Sequence, residues 1–348
     1  MNFHMERSRF IMKKVVSVFL CAFLLLSLGT FPVSANDVDP VEDYTPIDIS
    51  TTAGSHGVYK HDIATNTTTF IEPEEYAPDL DSVFTTPIPT MQDSPNIRPS
   101  SIIGTDDRTI VRNPTGVQTT TCRVGSRFDD GYLEEGTGWL LNNRYLITAG
   151  HMLYSTSHGG YADHTAVYVG ASGGEYLEYR RSKSYYVGGD YVDNDDKQNY
   201  FARGLWDDWG IIELDSPVNV SGLTYLGLRA VNSAADMQDG SVYYTQGYPK
   251  DLNPDIPIWQ DADMYECSGY ITGDYPRFEG RSITPRYLDV VRTNIDITHG
   301  QSGSPVYTWR NGCYCAEGII ISGPEGQNIE NCIILINDWL YNYINDKI

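Results

Sequence analysis

Thr298-His299-Gly300-Gln301-Ser302-Gly303-Ser304-Pro305-Val306 is the stretch on which the reading of this chain turns. A serine set between glycines, in a turn that feeds the apolar run Pro305 to Trp309, is how an acyl-transfer nucleophile is presented. Gly300 lets the backbone turn so that its N–H and that of Ser302 point at one spot. That spot is where the oxygen of a tetrahedral intermediate would sit. Gly303 leaves room for a substrate to approach. Serines between glycines also occur in the turns of ordinary loops, so the motif needs a base and an orienting acid elsewhere.

Leu146-Ile147-Thr148-Ala149-Gly150-His151 supplies the base, a histidine placed where an apolar strand ends in small residues. Of the histidines beyond Ser101 it alone has so constrained a setting. An imidazole of ordinary pKa, about 6.5, is suited to take and return a serine proton. Asp208 opens Trp209-Gly210-Ile211-Ile212-Glu213-Leu214, which reads as a buried strand. A carboxylate at its mouth is shielded from water and holds an imidazole in one tautomer. Alternation turns Asp207 the opposite way, so it reads as a surface acid. The order His151, Asp208, Ser302 differs from that of papain-like and α/β-hydrolase enzymes.

The texture around these residues is all-β. Gly138 to Leu141 and Tyr145 to Ala149 flank a short turn, and Ser241 to Thr245, Asp289 to Thr293 and Pro305 to Trp309 continue the pattern. Asn311-Gly312 then turns the chain into Cys313 to Ile321. Helical periodicity appears only at the end, where Asn337 or Asp338 caps a short helix with Trp339, Leu340, Tyr343 and Ile344 on one face. Short strands ending in one helix predict a two-barrel all-β enzyme. Trp139, Trp209 and Trp259 read as packing residues.

Ahead of this region stand two different segments. In residues 1–35, Arg7, Arg9, Lys13 and Lys14 precede an apolar run from Val15 to Leu28, and Val33-Ser34-Ala35 offers a cleavage site. This is the pattern of a secretory signal peptide, which predicts a secreted, extracellular protein with no membrane partner after signal removal. Residues 36–100 hold eight of the 18 prolines and many acids. Such a segment has too little apolar surface to offset its ordering entropy by itself. Its place between signal and globular region predicts a pro-segment that restrains an enzyme until export.

The formal charge of −22 speaks against nucleic acid, which needs a cationic surface. Five cysteines follow the signal: Cys122, Cys267, Cys313, Cys315 and Cys332. Their scatter is unlike a zinc site, and Cys313 or Cys315 with Cys332 would suit a bridge between neighbouring strands. The acids Asp190, Asp193, Asp195 and Asp196, with Asn194, fit no EF-hand spacing and read as a solvated loop. No metal and no cofactor is expected.

Together the settings of His151, Asp208 and Ser302 resemble the chymotrypsin-fold serine proteases, and the likeness extends to the secreted glutamyl endopeptidases of the Bacillus group. Ser101-Ile102-Ile103-Gly104-Thr105-Asp106-Asp107-Arg108-Thr109 is similar to the start of the mature enzyme in that group. Thr137-Gly138-Trp139, Thr148-Ala149-Gly150-His151, Asp208-Trp209-Gly210, Gly247-Tyr248-Pro249 and Gly300 to Val306 follow in the family's order. The resemblance implies a chymotrypsin-like double β-barrel over 101–348, closed by the short C-terminal helix. It further implies a His151–Asp208–Ser302 triad, an oxyanion hole from Gly300 and Ser302, and maturation by a cut near Ser100–Ser101.

Set beside the family, several positions differ. The disulfide beside the family's catalytic histidine is replaced by Gly136 and Met152. The histidine and the hydroxyl residue that help bind a substrate glutamate become Ile320 and Ile297. Neither isoleucine donates a hydrogen bond, and burying an unpaired carboxylate against them is costly. With Ser322 following on the same stretch, the pocket predicts an uncharged residue before the cut bond. Asp296 matches the place of the acid at the base of trypsin-like pockets, with a structural role as the simpler reading. His299 replaces a family glycine and lies within reach of a substrate. Gln301 stands where trypsin-like enzymes carry the acid that pairs with the freed N-terminus. The expectation is a monomeric secreted serine endopeptidase acting on protein or peptide substrates, made as a zymogen with its own pro-segment as intramolecular inhibitor. The alternative is a catalytically silent binding protein on the same fold.

Overall fold

The computed structural model describes residues 57–72, 102–195, 207–253, 262–274, 290–321 and 331–348. Ser322, Asp196, Trp259 and the predicted signal and cleavage site lie outside the described residues. The first strands in chain order are β1 (Val58–Asp62), β2 (Thr67–Ile71), β3 (Thr109–Val111), β4 (Thr121–Arg127), β5 (Leu133–Leu140) and β6 (Tyr145–Ala149). Next come β7 (Tyr154–Ser155), β8 (Gly160–Tyr161), β9 (His164–Val169), β10 (Glu178–Gly188), β11 (Trp209–Leu214), β12 (Gly227–Leu228) and β13 (Tyr243–Gly247). The last are β14 (Met264–Gly269), β15 (Ile271–Asp274), β16 (Val290–Thr293), β17 (Pro305–Arg310), β18 (Cys313–Ile321) and β19 (Asn331–Leu335). Among the described residues, three α-helices accompany them: α1 (Gly189–Asp193), α2 (Ala234–Met237) and α3 (Asp338–Lys347). No helix among the described residues is long and apolar enough to cross a membrane.

The first sheet runs β11-β6-β5-β4-β9-β10, and β10 pairs back to β11 to close a six-stranded barrel. Closure gives these strands partners on both sides, except along the part of β10 beyond Arg181 that β9 does not reach. Inward positions carry Val124, Leu140, Leu146, Val167, Val187, Ile212 and Leu214, all fully buried. The second sheet runs β15-β16-β19-β18-β17-β13-β14-β3 around Tyr243, Val291, Ile297, Val306, Ile320 and Ile333. The fold is the expected all-β double β-barrel with a short C-terminal helix.

That helix is capped as the sequence suggests, with the Leu340 N–H donating to Asn337 Oδ1 at 2.8 Å. Its buried face, Leu340, Tyr343 and Ile344, packs with Trp139, Ile147, Trp209 and Ile211 of the first barrel. Burying each such large side chain stabilises the fold by about 1.5–3 kcal/mol.

Two expectations change. Part of the segment 36–100 is ordered: β1 and β2 form a hairpin, and β1 pairs with Ser184–Gly188 of β10. Its order comes from an existing strand rather than from a core of its own. β9 covers β10 only up to Arg181, so β1 takes over the edge that β9 leaves. Val58 is buried against that barrel, and the buried His61 ring stacks on Tyr161 at 4.3 Å. The cysteines also differ from expectation, since all five are free thiols. Cys332 is in register with Ile321, six strand residues beyond Cys315. At about 3.3 Å per residue, the proposed bridge cannot form.

Candidate active site

The site is built from the ends of β6 and β11 on the first barrel and from the turn before β17 on the second. Register places Trp209 opposite Ala149, which brings Asp208 beside the single turn that carries His151. The His151 backbone N–H donates to Asp208 Oδ1 at 2.7 Å, and ring Nδ1 lies 2.8 Å from Oδ2. With a carboxylate as acceptor, Nδ1 carries the proton and Nε2 is left as the basic nitrogen. Gly150 permits this approach, since a Cβ there would stand 3.0 Å from Asp208 Oδ1 and 3.1 Å from the Trp209 carbonyl.

Asp208 is fully buried, while the His151 side chain keeps 20% of its surface exposed. Burial disfavours the charged ring, but the charge and hydrogen bond of Asp208 outweigh it and raise the His151 pKa to about 9. Glu134 and Asp195 act in the same direction.

The serine side is held by backbone. Gly300 has φ +93°, where a Cβ would lie 2.4 Å from the Tyr248 carbonyl. Thr137 of the first barrel clamps this turn: its N–H donates to the Ser302 carbonyl at 2.9 Å and its Oγ1 to the Gly300 carbonyl at 2.9 Å. Gly303 lies against the same strand, with its N–H on the Ile320 carbonyl at 2.7 Å. Neither the Gly300 nor the Ser302 N–H donates to an acceptor among the described residues. Ser302 is buried, and its Oγ makes no hydrogen bond to His151.

The remaining predicted pocket residues separate. Ile297 and Ile320 belong to the core of the second barrel. Asp296 is buried and accepts from the N–H of Ile103 at 2.6 Å and of Asp107 at 3.1 Å, so both its oxygens are occupied by backbone. His299 is half-exposed, 3.6 Å from Glu134 Oε1 across the gap between the barrels, and burial lowers its pKa. Gln301 accepts from the Thr298 N–H at 2.9 Å and so stabilises the turn from within.

Two acidic groups sit differently from the sequence reading. Asp207 is half-buried and accepts from Trp209 Nε1 at 2.5 Å and from the Asp190 N–H at 3.0 Å, which fixes the entry to β11. The Asp190–Asp195 stretch is not a solvated loop: Asp190 and Asn194 are buried, and Asp195 accepts from the Thr156 N–H at 2.7 Å. Sequence reasoning also missed a clamp on the serine turn. The buried Arg108 guanidinium pairs with Asp106 and Asp251, and its Nη1 donates to Thr298 Oγ1 at 2.8 Å. Arg108 stood in a quoted motif, but nothing in the sequence pairs it with Asp251 or Thr298.

Residues 117–342 match the trypsin family. Among curated relatives, the extracellular metalloprotease of Bacillus subtilis (strain 168) is 32% identical over 219 residues, 60% of this chain and 64% of that protein. The glutamyl endopeptidase of Bacillus licheniformis is 28% identical over 218 residues, 60% of this chain and 54% of that protein. The chain thus spans less than two thirds of the length of either relative. Among the described residues, no group of three or more His, Cys, Asp or Glu side chains converges as a metal site requires. A solved Glu endopeptidase in complex with MPD aligns with a TM-score of 0.52 and 22% identity, over 70% of this chain and 97% of that one, a likeness of fold. The match runs from β4 to β19, and the chain belongs to the trypsin family.

Proposed function

We propose that this chain is a secreted serine endopeptidase in which His151, Asp208 and Ser302 form the catalytic triad. The observation that carries the reading is the double hydrogen bond by which Asp208 fixes both the backbone and the ring of His151 beside the Ser302 turn. Ser302 Oγ attacks the peptide carbonyl carbon while Nε2 of His151 takes its proton. The N–H groups of Gly300 and Ser302 donate to the resulting oxyanion, a contribution worth on the order of 10²–10³ in rate per donor. The C–N bond then breaks, the amine leaves with the proton from Nε2, and an acyl-enzyme remains. Water repeats the sequence and restores Ser302.

Residues 1–35 act as the signal peptide and 36–100 as a pro-segment removed near Ser100–Ser101. The pairing of β1 with β10 supports a pro-segment that packs on the first barrel. After the cut, Ile103 and Asp107 stay on Asp296, and Arg108 stays on Asp251 and Thr298. The residue preferred before the cut bond is uncharged. With Ile297 and Ile320 packed into the core of the second barrel, neither position supplies a donor for a glutamate, and Asp296, already bonded to two backbone N–H groups, is not available to a lysine or arginine. Quenched peptides varied at that position test this, with products mapped by mass spectrometry. Cleavage after uncharged residues is expected. Selective cleavage after glutamate, or no cleavage by correctly processed protein, would contradict the proposal.

A further inference from the structure

Outside the catalytic region, two of the five described thiols meet. Cys122, Cys267 and Cys332 are buried, with the first two donating to the carbonyls of Thr120 and Asp296. Cys313 and Cys315 are two residues apart at the start of β18, where alternation turns both side chains to one face. Their sulfurs lie 3.2 Å apart. The neighbouring strand β12 leaves room for them by a glycine: a Cβ on Gly227 would come within 3.2 Å of the Cys315 sulfur and 3.6 Å of the Cys313 sulfur. Cys313 is exposed and directly follows the Asn311-Gly312 turn, both of whose residues have positive φ.

We propose that Cys313 and Cys315 form a modification site, a dithiol that small disulfides oxidise to a disulfide within one strand. The two α-carbons of residues i and i+2 in a strand lie about 6.6–6.8 Å apart, at the upper end of what a disulfide spans. Closure therefore draws in the first residue of β18, which borders the turn. Burial and the hydrogen bond with Cys313 push the Cys315 thiol up to about 11, so the exposed Cys313 is the attacking thiolate. It attacks one sulfur of the small disulfide, forms a mixed disulfide and expels one thiolate. Cys315 then gives up its proton and attacks the Cys313 sulfur, expelling the second thiolate. Two cysteine thiols are oxidised and one small disulfide is reduced to two thiols, with no other reactant. The short loop adds little to stability. The site is independent of the proteolytic reading, because neither sulfur touches the triad.

The test treats the purified full chain with oxidised glutathione, blocks remaining thiols with iodoacetamide and maps peptides by mass spectrometry. The peptide holding both residues should lose its two alkylations and two hydrogens and keep no glutathione. In the C315S variant a glutathione adduct should persist on Cys313. Two alkylated cysteines in treated wild-type protein, or an adduct on Cys313 as lasting as in C315S, would overturn the proposal. The wild-type arm decides alone should C315S fold poorly.

Discussion

The two halves of the site are held in different ways. On the first barrel, His151 and Asp208 are fixed by side-chain hydrogen bonds at the ends of paired strands. On the second, Ser302 sits on a turn fixed by glycine backbone and by the carbonyl clamps of Thr137. The proton-handling pair of the first half turns on the charge of Asp208, and the backbone of the serine turn on Gly300 lacking a Cβ. A charge substitution at Asp208 and a methyl addition at Gly300 should therefore damage different halves.

The largest effect is expected from Asp208→Asn, which keeps the shape but no longer selects the productive tautomer of His151. Turnover of a peptide substrate should fall on the order of 10⁴-fold, with little change in the folded-state circular dichroism. Gly300→Ala should follow. A methyl group 2.4 Å from the Tyr248 carbonyl, at φ +93°, should displace the turn and with it one proposed oxyanion donor. A loss on the order of 10²–10³ in kcat is expected, with substrate KM less affected.

The pH profile sharpens the contrast, because the proposed base, His151, belongs to the first half. The base form of His151 is lost below its pKa of about 9, so kcat/KM should drop roughly tenfold per unit as pH falls beneath that value. The stability linkage has the opposite sense. The folded pKa lies above the ordinary value of about 6.5, so the ion pair stabilises the fold fully below that pH. Its contribution is lost as pH rises through about 9. The smallest effect is expected for Thr137→Val, which removes the hydroxyl between the Gly300 carbonyl and the Tyr248 N–H. Stability should fall by about 1–3 kcal/mol in denaturant unfolding, with activity reduced only a few-fold.

What the sequence revealed follows the same division. The three residues of the proposed triad could be singled out because each stands in a local pattern: small residues after a strand, an acid before one, a serine between glycines. The fixtures around them were not. Thr137 meets Gly300 and Arg108 meets Thr298 only after both barrels have formed, across 163 and 190 residues of chain. Asp207 was read as a surface acid because alternation says nothing about the indole N–H two residues on. Strand pairing hides in the same way. Val58 to Ile71 lacks the apolar content to fold alone, and its order depends on an edge of β10 more than a hundred residues later. Cys313 and Cys315 were matched to Cys332 by strand order, but register separates them and brings the first two together.

The central claim, that Ser302 is the nucleophile activated by the His151–Asp208 pair, is tested most directly by fluorophosphonate labelling of purified protein followed by peptide mapping. The phosphonyl adduct should lie on Ser302 in wild-type protein trimmed at residue 100, and Asp208→Asn should label more slowly by several orders of magnitude. An adduct on another residue, or no adduct in trimmed and folded protein, would contradict the account.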